Sequence, residues 1–157
     1  MARHSKFTFK EALKKLERYC AYQERCHIEV RNKLWELGIR NDEIDQIVVH
    51  LINNDYLNEE RFAKTFVHGK FSIKKWGRNR IINELEQRKI SKYNIASALE
   101  EIHEDAYLKS FHLLAEKKWE SLASNDLLKR KKKLADYLFY RGWESDLVYA
   151  KINELTK

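Results

Sequence analysis

The sequence predicts an all-α protein of three tandem three-helix repeats in an elongated, curved array. Three observations predict it. One phrase is written three times: VRNKLWELGIRNDEIDQIVVHL at 30–51, IINELEQRKISKYNIASALEEI at 81–102 and LADYLFYRGWESDLVYAKINEL at 134–155. The chain has no proline and only four glycines, Gly38, Gly69, Gly77 and Gly142, so little interrupts a helix. Apolar residues recur at helical spacing throughout.

The three copies align position by position. Leu34, Leu85 and Leu138 coincide, then Ile39, Ile90 and Trp143, then Ile44, Ile95 and Val148. Val48, Leu99 and Ile152 follow, and Leu51, Ile102 and Leu155 close the set. The offsets are 51 and 53 residues. A period of this size marks stacked units, each covering its neighbour's apolar face, because a unit that small has a marginal core alone. The expected repeats are 9–57, 58–102 and 103–155.

In the first repeat, Phe9, Ala12, Leu13, Leu16, Tyr19 and Cys20 form an apolar stripe that breaks near Gln23. Ile28, Val30, Leu34 and Leu37 carry the second helix to Gly38, a residue suited to a left-handed cap. Asn41 is expected to cap the third helix, with Ile44, Ile47, Val48 and Leu51 inside. The second repeat opens at Asn58, an N-cap type, with Glu59 and Glu60 favouring the helix dipole. Phe62, Ala63, Phe66 and Val67 make its buried stripe; Gly77 punctuates the passage to Ile81, Ile82 and Leu85. Lys89 stands where Gly38 and Gly142 stand, at a cost of roughly 1 kcal/mol in the left-handed region, so this turn is expected to differ in shape. Ser91 is expected to cap the next helix. The third repeat opens with a helix from Asp105 to about Trp119, and the polar stretch 121–126 holds the capping types Ser124, Asn125 and Asp126. Leu128, Leu134, Ala135, Leu138 and Phe139 lead to Gly142; Leu147, Val148, Ile152 and Leu155 line the last helix.

Composition narrows the function. The net charge is +7, which favours an anionic partner. Between Phe9 and Leu57 acids match or exceed bases. The excess lies in the stretch Lys70, Lys74, Lys75, Trp76, Arg78, Arg80 and in the run Lys129, Arg130, Lys131, Lys132, Lys133. No apolar run approaches the roughly 18 residues of a membrane span, and the first ten residues lack a signal-peptide core, so a cytoplasmic protein is expected. Cys20 and Cys26 read as free, packed thiols and, with His27, lack zinc spacing. No glycine-rich phosphate loop, HExxH or nucleophile elbow is present, and the six histidines are scattered; no enzyme, metal or cofactor is expected.

The segment YLNEERFAKTFVHGKFSIKKWGRNRIINELEQRKI, 56–90, resembles the central signature of the RecX family of recombination regulators. The resemblance rests on an acidic turn before Arg61-Phe62-Ala63, then Trp76-Gly77, the bases Arg78 and Arg80, Ile81, Glu84 and Leu85. Arg25, Glu29, Lys33, Leu34 and Gly38 extend it into the first repeat, and Lys117-Lys118-Trp119 and Arg141-Gly142-Trp143 into the third. It implies a regulator, probing no substrate chemically, that binds the RecA recombinase filament on single-stranded DNA. It further implies inhibition of RecA's ATPase and strand exchange in recombination, DNA repair and the SOS response. A monomer whose concave basic face enters the filament groove is the expectation. The rival reading is a stand-alone nucleic-acid binder.

The candidate contacts to filament and DNA are the two basic stretches. Trp76, between Lys75 and Arg78, reads either as a stacking platform or as a packed corner residue. Arg80, Glu84 and Arg88 have the spacing of surface ion pairs. Five cations opening a helix at Lys129 oppose its dipole, which reads as a solvated helix start or as an anion site. Arg61 is expected to pair with Glu59 or Glu60.

Overall fold

A computed structural model describes residues 7–157. Among them are nine α-helices and no strand: α1 Phe9–Tyr22, α2 His27–Glu36, α3 Asn41–Asn53, α4 Glu59–Ser72, α5 Arg78–Gln87, α6 Lys92–Leu99, α7 Glu104–Ser121, α8 Leu127–Tyr140 and α9 Ser145–Leu155. Helices α1–α3, α4–α6 and α7–α9 pack among themselves as three-helix units.

The recurrent apolar positions are the interior. Leu34, Leu85 and Leu138 are fully buried, and Ile39, Ile90 and Trp143 nearly so. Ile44, Ile95 and Val148 follow them inside. Burying a side chain of this size contributes about 1.5–3 kcal/mol. The units share their cores at the seams. Cys26, which precedes α2, lies in the second core, and Phe71 of α4 packs against both the second and the third. Burial pushes both thiols up, to about 11, so they sit as unreactive apolar groups.

Side-chain caps mark four of the nine described helix starts. Asn58, Ser91 and Asp126 each accept a backbone N–H from the residue three further on. Thr8 and Glu11 form a reciprocal capping box on α1. Asn41 does not act as the cap of α3: it is the first helical residue, and Arg40 precedes it without a side-chain cap. Leu128 is also misplaced by the periodicity, being 80 % exposed.

The turn at Lys89 does not differ in shape. Lys89 adopts φ 60°, beside 81° at Gly38 and 91° at Gly142. The N–H groups of Ile39, Ile90 and Trp143 all reach back 3.1 Å to the carbonyls of Leu34, Leu85 and Leu138. Burial of Leu85 and Ile90 on either side fixes this geometry, and the lysine accepts the strained backbone.

The join between the second and third units is made by backbone. Helix α5 begins at the N-cap Gly77, which has no side chain to satisfy the open N–H groups of the first turn. The third unit supplies their partners. Gly77 N–H donates to the Arg141 carbonyl at 2.8 Å, Asn79 N–H to the Gly142 carbonyl at 3.0 Å, and Arg78 N–H to the Tyr107 hydroxyl at 2.8 Å. A methyl group on Gly77 would lie 2.5 Å from the Gly142 oxygen, and one on Gly142 would strike the Arg80 backbone. Only two glycines permit this approach. Gly69, inside α4, has nothing within 4 Å of such a methyl.

Gly77→Ala should therefore lower stability by about 2 kcal/mol through overpacking, while Gly69→Ala should raise it by about 0.5–1 kcal/mol through helix propensity. Urea unfolding followed by circular dichroism checks both; equal effects would contradict the close approach. In the same assay Lys89→Gly should stabilise by about 0.5 kcal/mol, relief of left-handed strain being partly offset by chain entropy.

Candidate nucleic-acid interface

The structure divides the basic stretch 70–80 among three environments. Arg78 turns inward. Its guanidinium pairs with Glu104 at 2.5 Å and Glu144 at 3.1 Å and lies 3.7 Å from the Tyr107 ring centre. Tyr107 is fully buried and donates a short hydrogen bond to the other Glu144 oxygen. Burial and this carboxylate hold the phenol far above its ordinary range. Arg78 thus belongs to the join between units, its charge met there by Glu104 and Glu144.

Lys75 faces a different direction. Its backbone, at φ 60°, ends the α4 turn, and its carbonyl accepts the Trp143 indole N–H at 3.2 Å. Lys75 lines a hollow against α7.

The remaining members come together with residues that spacing had not singled out as sites. Trp76 is half-buried, edge-on to Phe66 with ring centres 6.3 Å apart, so it is a packed corner residue. One cation after another nevertheless stands over these rings. Arg88 is 5.0 Å from Phe66; Lys70 is 5.4 Å from Phe66 and 4.9 Å from Trp76. Arg80 is 4.0 Å from Trp76 and 4.6 Å from Tyr140. The result is a ladder of alternating cations and aromatics from α5 across α4 to the end of α8. It closes on Tyr140, 72 % exposed, whose carbonyl accepts from Arg80 at 3.2 Å. Exposed Lys74 lies beside Phe66 and Lys70. Each cation–π contact contributes about 0.5–1 kcal/mol at an exposed site. Arg88 is neutralised by Glu84, but Lys70 and Arg80, which form no ion pair among the described residues, are held in place with their charge available, an arrangement suited to phosphates, with Tyr140 offering a face to a base.

Of the expected surface pairs, Arg88 binds Glu84 at 2.9 Å. Arg61 pairs with Glu24 at 2.6 Å and Asp55 at 3.1 Å rather than with Glu59 or Glu60, tying the second unit to the first. The unit join brings these groups within reach, which sequence proximity alone does not show.

The run 129–133 is largely accommodated within its own helix end. Arg130 donates twice to the Trp119 carbonyl, at 3.1 and 2.8 Å, and stacks on that ring. Lys132 pairs with Asp136 at 2.7 Å and Lys133 donates to Asn125 at 2.9 Å. Asp126 offsets the unfavourable dipole at the cap. Lys129 is exposed and Lys131 half-buried. Roughly 16 Å of helix separates Lys129 from Tyr140, so this run is not part of the ladder.

Among the described residues no group of His, Cys, Asp or Glu could hold a metal ion, and no helix is long and apolar enough to cross a membrane. Residues 58–99 match the second three-helix domain of RecX and residues 105–152 the third, together more than half of the chain. The chain belongs to the RecX family. The Regulatory protein RecX of Bacillus cytotoxicus is 26 % identical over 137 residues, 87 % of this chain and 51 % of that protein. The Regulatory protein RecX of Clostridioides difficile is 26 % identical over 112 residues, 71 % of this chain and 53 % of that protein. The chain thus spans about half the length of the curated RecX relatives it matches. Two solved RecX structures share the fold. RecX from Lactobacillus salivarius has a TM-score of 0.79 at 24 % identity, covering 94 % of this chain and 96 % of that one. A second regulatory protein RecX has a TM-score of 0.82 at 21 % identity, covering 93 % and 73 %.

The division of the two arginines is testable. Arg78→Ala should cost about 2 kcal/mol of stability because charged hydrogen bonds are lost, whereas Arg80→Ala should cost under about 1 kcal/mol. Urea unfolding distinguishes them; reversal of the order would contradict the assignment.

Proposed function

We propose that this RecX-family chain binds the RecA–single-stranded DNA filament and inhibits its ATPase and strand exchange, thereby regulating recombination and DNA repair. It acts by binding rather than by chemistry. Family membership supports the regulatory role. The cation–aromatic ladder is the single observation that supports contact with nucleic acid. Lys70, Lys74 and Arg80 offer charge to phosphates, while Tyr140 offers a ring for stacking. Trp76 supports the cations from beneath. Lys129 and Lys131 are retained as outlying charges that would add to electrostatic attraction. A helical array spreads such contacts over adjoining units, as distributed recognition of a filament requires. Held across neighbouring recombinase subunits, the chain would oppose the rearrangements of ATP turnover and obstruct the incoming strand.

The test is RecA's DNA-dependent ATPase with this protein added below the RecA concentration. The expected outcome is inhibition, weakened at least about tenfold by combining Arg80→Glu with Tyr140→Ala. Unchanged ATPase with the wild-type protein would overturn the proposal. Oligonucleotide binding without RecA, measured in parallel, should fall with salt as phosphate contacts release counterions. Tight binding there with no effect on RecA would favour a stand-alone nucleic-acid binder.

A further inference from the structure

A second surface lies across the same join and has a different chemistry. The end of α4 and the outer side of α7 enclose an open hollow of about 490 Å³. Phe71, Leu113 and Leu114 form its apolar floor, and Lys75, Lys109 and Lys117 stand around it. Leu113 is 62 % exposed within that ring of charge. Among the described residues the lysine ion pairs engage Lys33, Lys64, Lys132 and Lys151, and none of the three around the hollow. No acidic side chain lines it, whereas the hollow beside Phe62 contains Glu24 and Glu29, and that beside Tyr140 contains Glu84. Apolar surface with unneutralised cations on its edge favours a ligand carrying the complementary pattern.

We propose that this groove docks an acidic amphipathic helix from a protein partner. Lys109 and Lys117 lie about 12 Å apart along α7, a little over two helical turns. Glutamates at matching intervals on a docked helix meet both ammonium groups, while leucines between them cover Leu113 and Leu114. Nucleic acid fits less well. The floor is mostly aliphatic, its one aromatic ring is already stacked on Tyr107 at 5.8 Å, and no arginine fork lines the groove. The groove has the opposite chemical balance to the cation–aromatic ladder: an apolar centre with charge at the rim.

The probe is a fluorescein-labelled synthetic helix with leucine on one face and glutamate on the other, followed by fluorescence anisotropy. The wild-type protein should bind it. Leu113→Glu, and separately Lys109→Glu with Lys117→Glu, should each weaken binding at least about tenfold. Both changes lie on exposed positions, so melting curves should stay close to wild type, and oligonucleotide binding through the ladder should persist. An oligo-glutamate of equal charge should bind at least about tenfold more weakly, because it lacks the apolar anchor. Absence of peptide binding, wild-type affinity in both variants, or equal affinity for oligo-glutamate would overturn the proposal. Displacement of the peptide by an oligonucleotide whose own binding is lost in Leu113→Glu would overturn it in favour of nucleic acid. Peptide binding is read apart from RecA's ATPase, so failure of either reading leaves the other distinguishable.

Discussion

The structure depends on one close approach: the backbone of Gly142 capping the first turn of α5 at Gly77. A helix start has open N–H groups that must find partners. Here Gly77 has no side chain to offer, and the partners come from Arg141, Gly142 and Tyr107 of the following unit. The cap is therefore a tertiary contact, and α5 is completed only when α7–α9 are in place. Around it Tyr107, Phe71, Phe111 and Trp143 pack ring on ring, and Arg78 closes the network through Glu104 and Glu144. Breaking one partner exposes the others to an unmet charge or donor, which makes the join cooperative.

The same join decides which basic residues face outward. Two residues apart in sequence, Arg78 and Arg80 take opposite roles because α5 starts against the third unit. Arg78 enters the seam; Arg80 crosses it on the outside to lie between Trp76 and Tyr140. Lys75, one residue before Trp76, emerges on the side of α7. A charge cluster that looks continuous in the sequence thus becomes a structural cation, a stacked ladder and the rim of a separate groove. Each has its own consequence for stability or recognition, so charge-reversal across the whole stretch would confound them.

Much of the fold was legible because its signals are local or periodic. Leu34, Leu85 and Leu138 repeat at nearly constant intervals and are buried alike, and Asn58, Ser91 and Asp126 cap the helices they precede. The residues around 56–90 pointed to the right family. The errors have physical causes. Lys89 was read from intrinsic strain, but two buried neighbours impose the left-handed turn on it regardless. Gly77 was read as local punctuation; its need to admit another backbone arises from a partner 65 residues away, Gly142. Of the candidate site, the cations were visible as composition. The inward turn of Arg78 and the contribution of Tyr140 were not, since both rest on contacts between units, 26 to 66 residues apart in sequence.

The most direct test of this account is native-state hydrogen exchange at the amides of Gly77, Arg78 and Asn79, resolved by NMR. If the third unit caps α5, all three exchange slowly, with protection comparable to amides in the middle of α5. Rapid, loop-like exchange at these three positions beside a protected helix interior would contradict it, because the open donors would then face water rather than the following unit.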